Sequence, residues 1–226
     1  MCGMALTIPE AVLLLAIDDD RGSPLIEDSS LGIAIAGAAL AQLVVDGRMR
    51  LVAPGEPGSA PGALVAASGT TSPHLEPLVA RIDGATPADA LSIVAGWGGP
   101  TAPTTRVRRE LLEDFAAAGV LAREEDRFLG IRWRQRWERG ERRDVEDALQ
   151  VRAREVLDGA DDTTVGAALA ILHGADALPA IFPDRPREPL LARGAQLAEG
   201  SWASREVHRS IAAVQAAVVG LMISST

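Results

Sequence analysis

The sequence predicts a mainly α fold, a helical-bundle core carrying small β-hairpins, in one domain over residues 1–226. Three observations point there. Leu6-Thr7-Ile8-Pro9-Glu10 opens an apolar segment with a helix-start signature. A longer apolar run, Leu31 to Val45, is closed by Asp46-Gly47. Between Arg127 and Trp137 the outer part of the pattern switches to alternation, the period of a strand.

Taken in order, Thr7 and Glu10 have the spacing of a capping box. Pro9 lies where its missing N–H costs nothing. Asp18-Asp19-Asp20-Arg21-Gly22 is expected to stop this helix as an acidic turn, and Ser29-Ser30 to cap the next. The second run is rich in alanine and glycine and falls short of the roughly 20 residues of a membrane span, so it reads as a buried core helix. Arg48–Ala53 and Ala63–Ser68 read as short strands around a loose Pro/Gly turn. Ser72-Pro73 and Thr86-Pro87 are expected to start two further helices. Gly96-Trp97-Gly98-Gly99-Pro100 ends the second and lacks the Gly-Lys-Ser/Thr tail of a phosphate loop.

Thr105–Ala118 is amphipathic, with Val107, Leu111, Leu112 and Phe115 at helical spacing and Gly119 as its left-handed stop. Val120 and Leu121 then enter a hairpin. Ile131, Trp133 and Gln135 face one way, and Arg132, Arg134 and Arg136 the other. Exposed, such a row suits a polyanion; it equally suits a charged strand edge that resists aggregation. A charged helix is expected over Arg143–Leu157, and one over Val165–His173 with Thr163 as candidate cap. Pro179, Pro183, Pro186 and Pro189 punctuate the stretch before a last helix from Ser204 to Met222. Residues 40–51 and 112–132 echo each other: apolar helix, glycine, arginine-bearing strand.

This order of motifs resembles the Golgi phosphoprotein 3 family, phosphatidylinositol 4-phosphate-binding Golgi adaptors with bacterial relatives. The resemblance rests on Leu6 to Leu15, on Gly37-x-x-Leu40-x-x-Leu43 and on Gly47-Arg48-x-x-Leu51. Val107-Arg108-x-x-Leu111 with Gly119-Val120-Leu121, and Leu172-His173-x-x-Asp176-x-Leu178, follow in the family's order. It implies a helical-bundle core, peripheral association with anionic lipid headgroups, and a hairpin that supports oligomers and inserts at membranes. Family pockets use one tryptophan and three arginines. Here the tryptophan position falls on Glu27, one arginine on Ala36 and another on Thr105, while Arg108 is kept. Arg106 and Arg109 flank it and substitute only through a changed geometry.

Charge and composition bound the remaining function classes. The formal net charge of −9 argues against a dedicated nucleic-acid binder. Yet 13 of the 22 arginines lie between Arg106 and Arg154 against 11 acids, roughly +2, leaving roughly −11 elsewhere. The bland account of that run is a salt-bridged, solvated surface. Lysine, asparagine and tyrosine are absent, a bias that suggests a GC-rich bacterial genome. Cys2 alone offers neither an internal disulfide nor a cysteine metal site. No basic run precedes the first apolar segment, so a signal peptide is not expected.

His74, His173 and His208 have no partner at triad or metal-ligand spacing, and His173 reads as a hydrogen-bonded packing residue. Neither a Gly-x-Ser-x-Gly elbow nor a dinucleotide fingerprint is present, so an enzyme, a cofactor and a metal are not expected. The reading is a non-enzymatic peripheral membrane adaptor, cytoplasmic, meeting anionic lipid headgroups. Its lipid-binding candidates are Arg106, Arg108 and Arg109. Arg132, Trp133, Arg134 and Trp137 are the membrane or homo-oligomer residues of the 120–137 hairpin. The alternative is a protein scaffold or a winged-helix-like nucleic-acid module, since helix, turn and hairpin are also that module's local order.

Overall fold

The structure is a computed structural model that describes residues 5–18, 22–56, 60–96, 101–128, 131–199, 216–221 and 223, without the side chains of 125–128 and 131–135. The first helix, α1 (Ile8–Leu15), begins as the capping box dictates. The Glu10 carboxylate accepts from the Thr7 N–H at 2.6 Å and from its hydroxyl at 2.8 Å. Behind α1 runs α2 (Asp28–Val45), buried at nearly every position from Leu31 to Val44. By length and hydropathy α2 could cross a bilayer, but 72% of it is buried inside the fold. It is the core helix. Its polar residue Gln42 is buried too, and its amide is spent on local needs. Gln42 Oε1 accepts the Ile8 N–H of α1 at 2.8 Å, and Nε2 donates to Asp46 at 2.7 Å.

Around this pair stand α4 (Pro87–Ala95), α5 (Pro103–Ala117) and α7 (Thr163–Gly174), each packed on α2. The charged helix α6 (Arg143–Leu157) lies against α1 and α7 through Val145, Leu149, Ala153 and Val156. One hydrophobic cluster runs from Leu6 to Val218 and joins all these elements.

Three expected boundaries move for physical reasons. The first residue of α2 is Asp28, with Glu27 at its N-cap, so Ser29 and Ser30 sit inside the first turn. Ser72-Pro73 makes a turn rather than a helix start. Its Ser72 carbonyl accepts the Leu75 and Glu76 N–H groups, and α3 (Glu76–Ile82) begins after it. Asp162, not Thr163, caps α7, accepting the Val165 N–H at 2.9 Å. The proline-punctuated stretch holds α8 (Leu178–Ile181) and α9 (Arg187–Glu199), with Pro179 and Pro189 in first turns where no N–H is missed. Residues 216–221 are helical, while 204–215 of the expected last helix lie outside the described residues.

Two antiparallel hairpins complete the fold: β1 (Met49–Leu51) with β2 (Leu64–Ala66), and β3 (Leu121–Phe128) with β4 (Ile131–Arg139). Each leaves its helix by the same joint. The Arg48 and Val120 N–H groups reach back to Leu43 and Phe115 at 2.9 Å, across Gly47 (φ +63) and Gly119 (φ +72). That is a Schellman stop, whose left-handed residue favours glycine. Each hairpin also returns to a glycine held on the same joint, Gly69 to the Gly47 carbonyl and Gly140 to the Val120 carbonyl. The echo in the sequence is a structural repeat.

Candidate lipid-facing surface

The residues of α5 that could meet an anion lie on its solvent side, because Val107, Leu111, Leu112 and Phe115 turn inward. Arg108 reaches the start of α2 and donates to Asp28 at 2.9 Å. Arg106 donates through Nε to Glu110 at 2.8 Å, one helical turn away. Arg109 lies 3.9 Å from Glu113. Each of these three arginines thus has a carboxylate at hand. Such exposed pairs contribute about 1 kcal/mol or less and leave the cations accessible.

Of the pocket positions implied by the resemblance, Glu27, Thr105 and Arg108 come near one another through the Arg108–Asp28 pair. Glu27 is exposed beside Asp28, and Thr105 is exposed on α5 one turn from Arg108. Ala36 is fully buried in the core helix. A phosphate entering here would meet Arg108 together with Asp28 and Glu27, two negative charges against one positive.

The hairpin residues separate. The register sets Glu124 opposite Arg136 and Asp126 opposite Arg134, while Arg132 stands opposite another arginine, Arg127. The side chains of Arg132, Trp133 and Arg134 lie outside the described residues. Trp137 does not belong with them at an exposed strip. It is partly buried and packs against the core, and its N–H donates to the Gly22 carbonyl at 3.0 Å. Its place at the root, next to the turn after α1, explains this. Arg139 fastens the same root to α6, with Nε 3.1 Å from the buried Glu146 carboxylate and an η nitrogen 2.9 Å from Asp147.

Three histidines take three courses. His208 lies outside the described residues. His173 packs on α9 at Gly194, and its buried Nδ1 has no hydrogen-bond partner among the described residues. Burial pushes its pKa below the ordinary value, with Asp176 opposing. The expected packing role fits, but the expected hydrogen bond is not made there. His74 is the residue that sequence reasoning missed. Its Nδ1 lies 3.1 Å from Glu110 and its Nε2 2.6 Å from Asp114. The signal was present in Glu110 and Asp114, whose four-residue spacing puts two carboxylates on one helix face. Among the described residues no group of three or more metal-ligating side chains converges; Asp19 and Asp20 lie outside them.

Among the described residues, a mainly helical core carries two glycine-jointed hairpins, with arginine–carboxylate pairs on its surface. The family model for Golgi phosphoprotein 3 (GPP34) matches residues 8–214, nearly the whole chain. The chain belongs to the Golgi phosphoprotein 3 family. A search of curated proteins finds no match.

Proposed function

We propose that this chain is a non-catalytic peripheral membrane module that meets anionic bilayers by distributed charge rather than through a phosphoinositide-specific pocket. Family membership supports a Golgi-phosphoprotein-3-like module. The observation that carries the finer reading is the fate of the pocket positions. Arg108 is tied to Asp28, Ala36 is buried and Glu27 adds a second negative charge. Attraction then falls to the arginine-dense stretch from Arg106 to Arg154, above all to Arg132 and Arg134 on the hairpin and Arg109 on α5. An arginine beside an anionic leaflet contributes about 1 kcal/mol, so several suffice for salt-sensitive docking.

Vesicle sedimentation tests this. Recovery with phosphatidylglycerol vesicles should exceed recovery with phosphatidylcholine at low salt, and should fall as salt shortens the screening length to about 10 Å. Adding phosphatidylinositol 4-phosphate at matched charge should bring no extra recovery. Equal recovery on neutral vesicles would overturn the reading.

A further inference from the structure

The apolar seam of α9 is short. Leu190, Gly194 and Leu197 are its buried residues, and the helix lies on α7 and α8. The middle residue of that seam is a glycine, and what lies on it is an imidazole. A Cβ at Gly194 would sit 2.7 Å from both Cγ and Nδ1 of His173, and 2.8 Å from Cδ1 of Leu178. The ring is pressed against the α9 backbone, leaving no space for a water molecule between them. Its Nδ1 is buried and has no hydrogen-bond partner among the described residues. In the neutral ring the proton can stay on Nε2, and Nδ1 is then a bare acceptor. In the cation both nitrogens are donors, and a buried N–H with no acceptor carries its full desolvation penalty.

We propose that His173 is a proton-operated latch: the neutral ring holds α9 on α7, and uptake of a proton lifts the ring from Gly194 and undocks α9. The proton goes to Nδ1, which then draws in water as its acceptor where the glycine had been. The charges around the ring allow this. Asp176, on the turn after α7, favours the cation, but it is exposed and lies 3.8 Å from Arg187 at the start of α9. Arg193, next to Gly194 in the chain, is turned away to the Val156 carbonyl of α6. Neither α8 nor residues 216–221 carry a titratable side chain. Once released, the imidazole regains its ordinary value of about 6.5, so opening takes up a proton. Docking is therefore complete above that pH and weakens as pH falls through it, levelling off once the docked ring is itself protonated. Undocking uncovers Leu190 and Leu197, an apolar strip hidden in the closed form. The latch is independent of bilayer attraction, since none of its residues lies on α5 or the long hairpin.

Amide hydrogen exchange of the full chain tests it, converted to protection factors so that the intrinsic pH dependence drops out. Between about pH 7.5 and about pH 5.5, which bracket the ordinary imidazole value, protection in α9 should fall several-fold. It should also be lower than in α2 throughout, because α9 opens without the rest of the chain. His173→Gln, whose amide takes up no proton, should make α9 protection independent of pH. Asp176→Asn keeps a residue type that tolerates the left-handed backbone there (φ +52) and removes the charge favouring the docked cation. It should deepen the loss, and it carries the test on its own if His173→Gln folds poorly. Protection in α9 that is flat with pH, that equals that of α2, or that still falls in His173→Gln overturns the latch. So does a loss that Asp176→Asn leaves unchanged.

Discussion

Both hairpins leave a helix through a left-handed glycine, yet β1–β2 buries Met49, Leu51 and Leu64, whereas β3–β4 buries Leu121 at its root and partly buries Trp137. The first has strands of three residues and serves as a lid on the core. The second has strands of eight and nine residues, packing chiefly on each other, with α5 beside β3 and Gly22 beside β4. At about 3.3 Å per residue it extends about 25 Å. One joint therefore carries two arrangements. Where the strands stay short, the hairpin lies on the core; where they lengthen, the two strands pack chiefly on each other.

The two roots differ most in how an arginine fastens them. Arg139 reaches the buried Glu146, while Arg48 reaches Glu76, which is about half exposed. Removing one partner of a buried pair strands a charge, so Arg139→Ala should cost about 3 kcal/mol. Arg48→Ala should cost far less, because water replaces an exposed partner. Urea midpoints of the two variants measure the difference, and equal losses would break the comparison.

The returning glycines come next in size. A Cβ on Gly69 would sit 2.1 Å from the Asp46 carbonyl oxygen, and one on Gly140 would sit 2.2 Å from that of Gly119. Backbone cannot yield cheaply, so each alanine variant should lose about 1–3 kcal/mol. Their consequences should part. Gly69→Ala opens the lid and should lower the thermal midpoint of the whole chain. Gly140→Ala loosens the long hairpin, and hydrogen exchange should accelerate from residue 121 to 139 more than in α2.

How far this was legible follows from the range of each signal. The Thr7–Glu10 box, Thr86 cap, Gly119 stop and charged helix from Arg143 are local, and the structure has them where the spacing put them. The repeat of helix, glycine and hairpin was visible for the same reason. Asp162 displaced Thr163 because neighbouring cap-formers compete, and the carboxylate of one precluded the other. Contacts distant in the chain were not legible. Nothing local says that Arg108 meets Asp28, 80 residues earlier, or that Trp137 meets Gly22. The α5 arginines were singled out by type and spacing; the pairs of Arg106 with Glu110 and Arg109 with Glu113 are local, and only that of Arg108 depends on packing.

A pH titration gives a smaller effect and sharpens the roots further. Arg48 holds the Glu76 carboxyl below its ordinary range, and Arg142 does the same for Asp144 beside the long hairpin. Depressed carboxylates stabilise above their unfolded pKa, and that contribution disappears as pH falls through the folded value, below about 4. His173 acts earlier. Its folded pKa is lowered by burial, so the unfolded chain takes up the proton first. Stability should therefore decline slightly as pH falls below about 6.5. His173→Leu should flatten that limb and leave the acid limb intact. An unchanged upper limb would remove His173 from the account.

The smallest expected change in stability belongs to the tip of the long hairpin. Trp133 lies on β4, four residues outward from the root residue Trp137. A tryptophan among arginines on an extended hairpin suits the interface of a bilayer or a second copy of the chain, since its ring is apolar with one polar edge. If the outer hairpin is a surface, Trp133→Ser leaves the helical circular dichroism and the urea midpoint within about 0.5 kcal/mol. The same variant should lower recovery on phosphatidylglycerol vesicles or shrink the assembly seen by light scattering. Trp137→Ser should behave oppositely, losing stability because that ring covers the core. A Trp133→Ser variant that unfolds would make the long hairpin a lid like the short one. The division between a hairpin that stabilises and a hairpin that binds would then be lost.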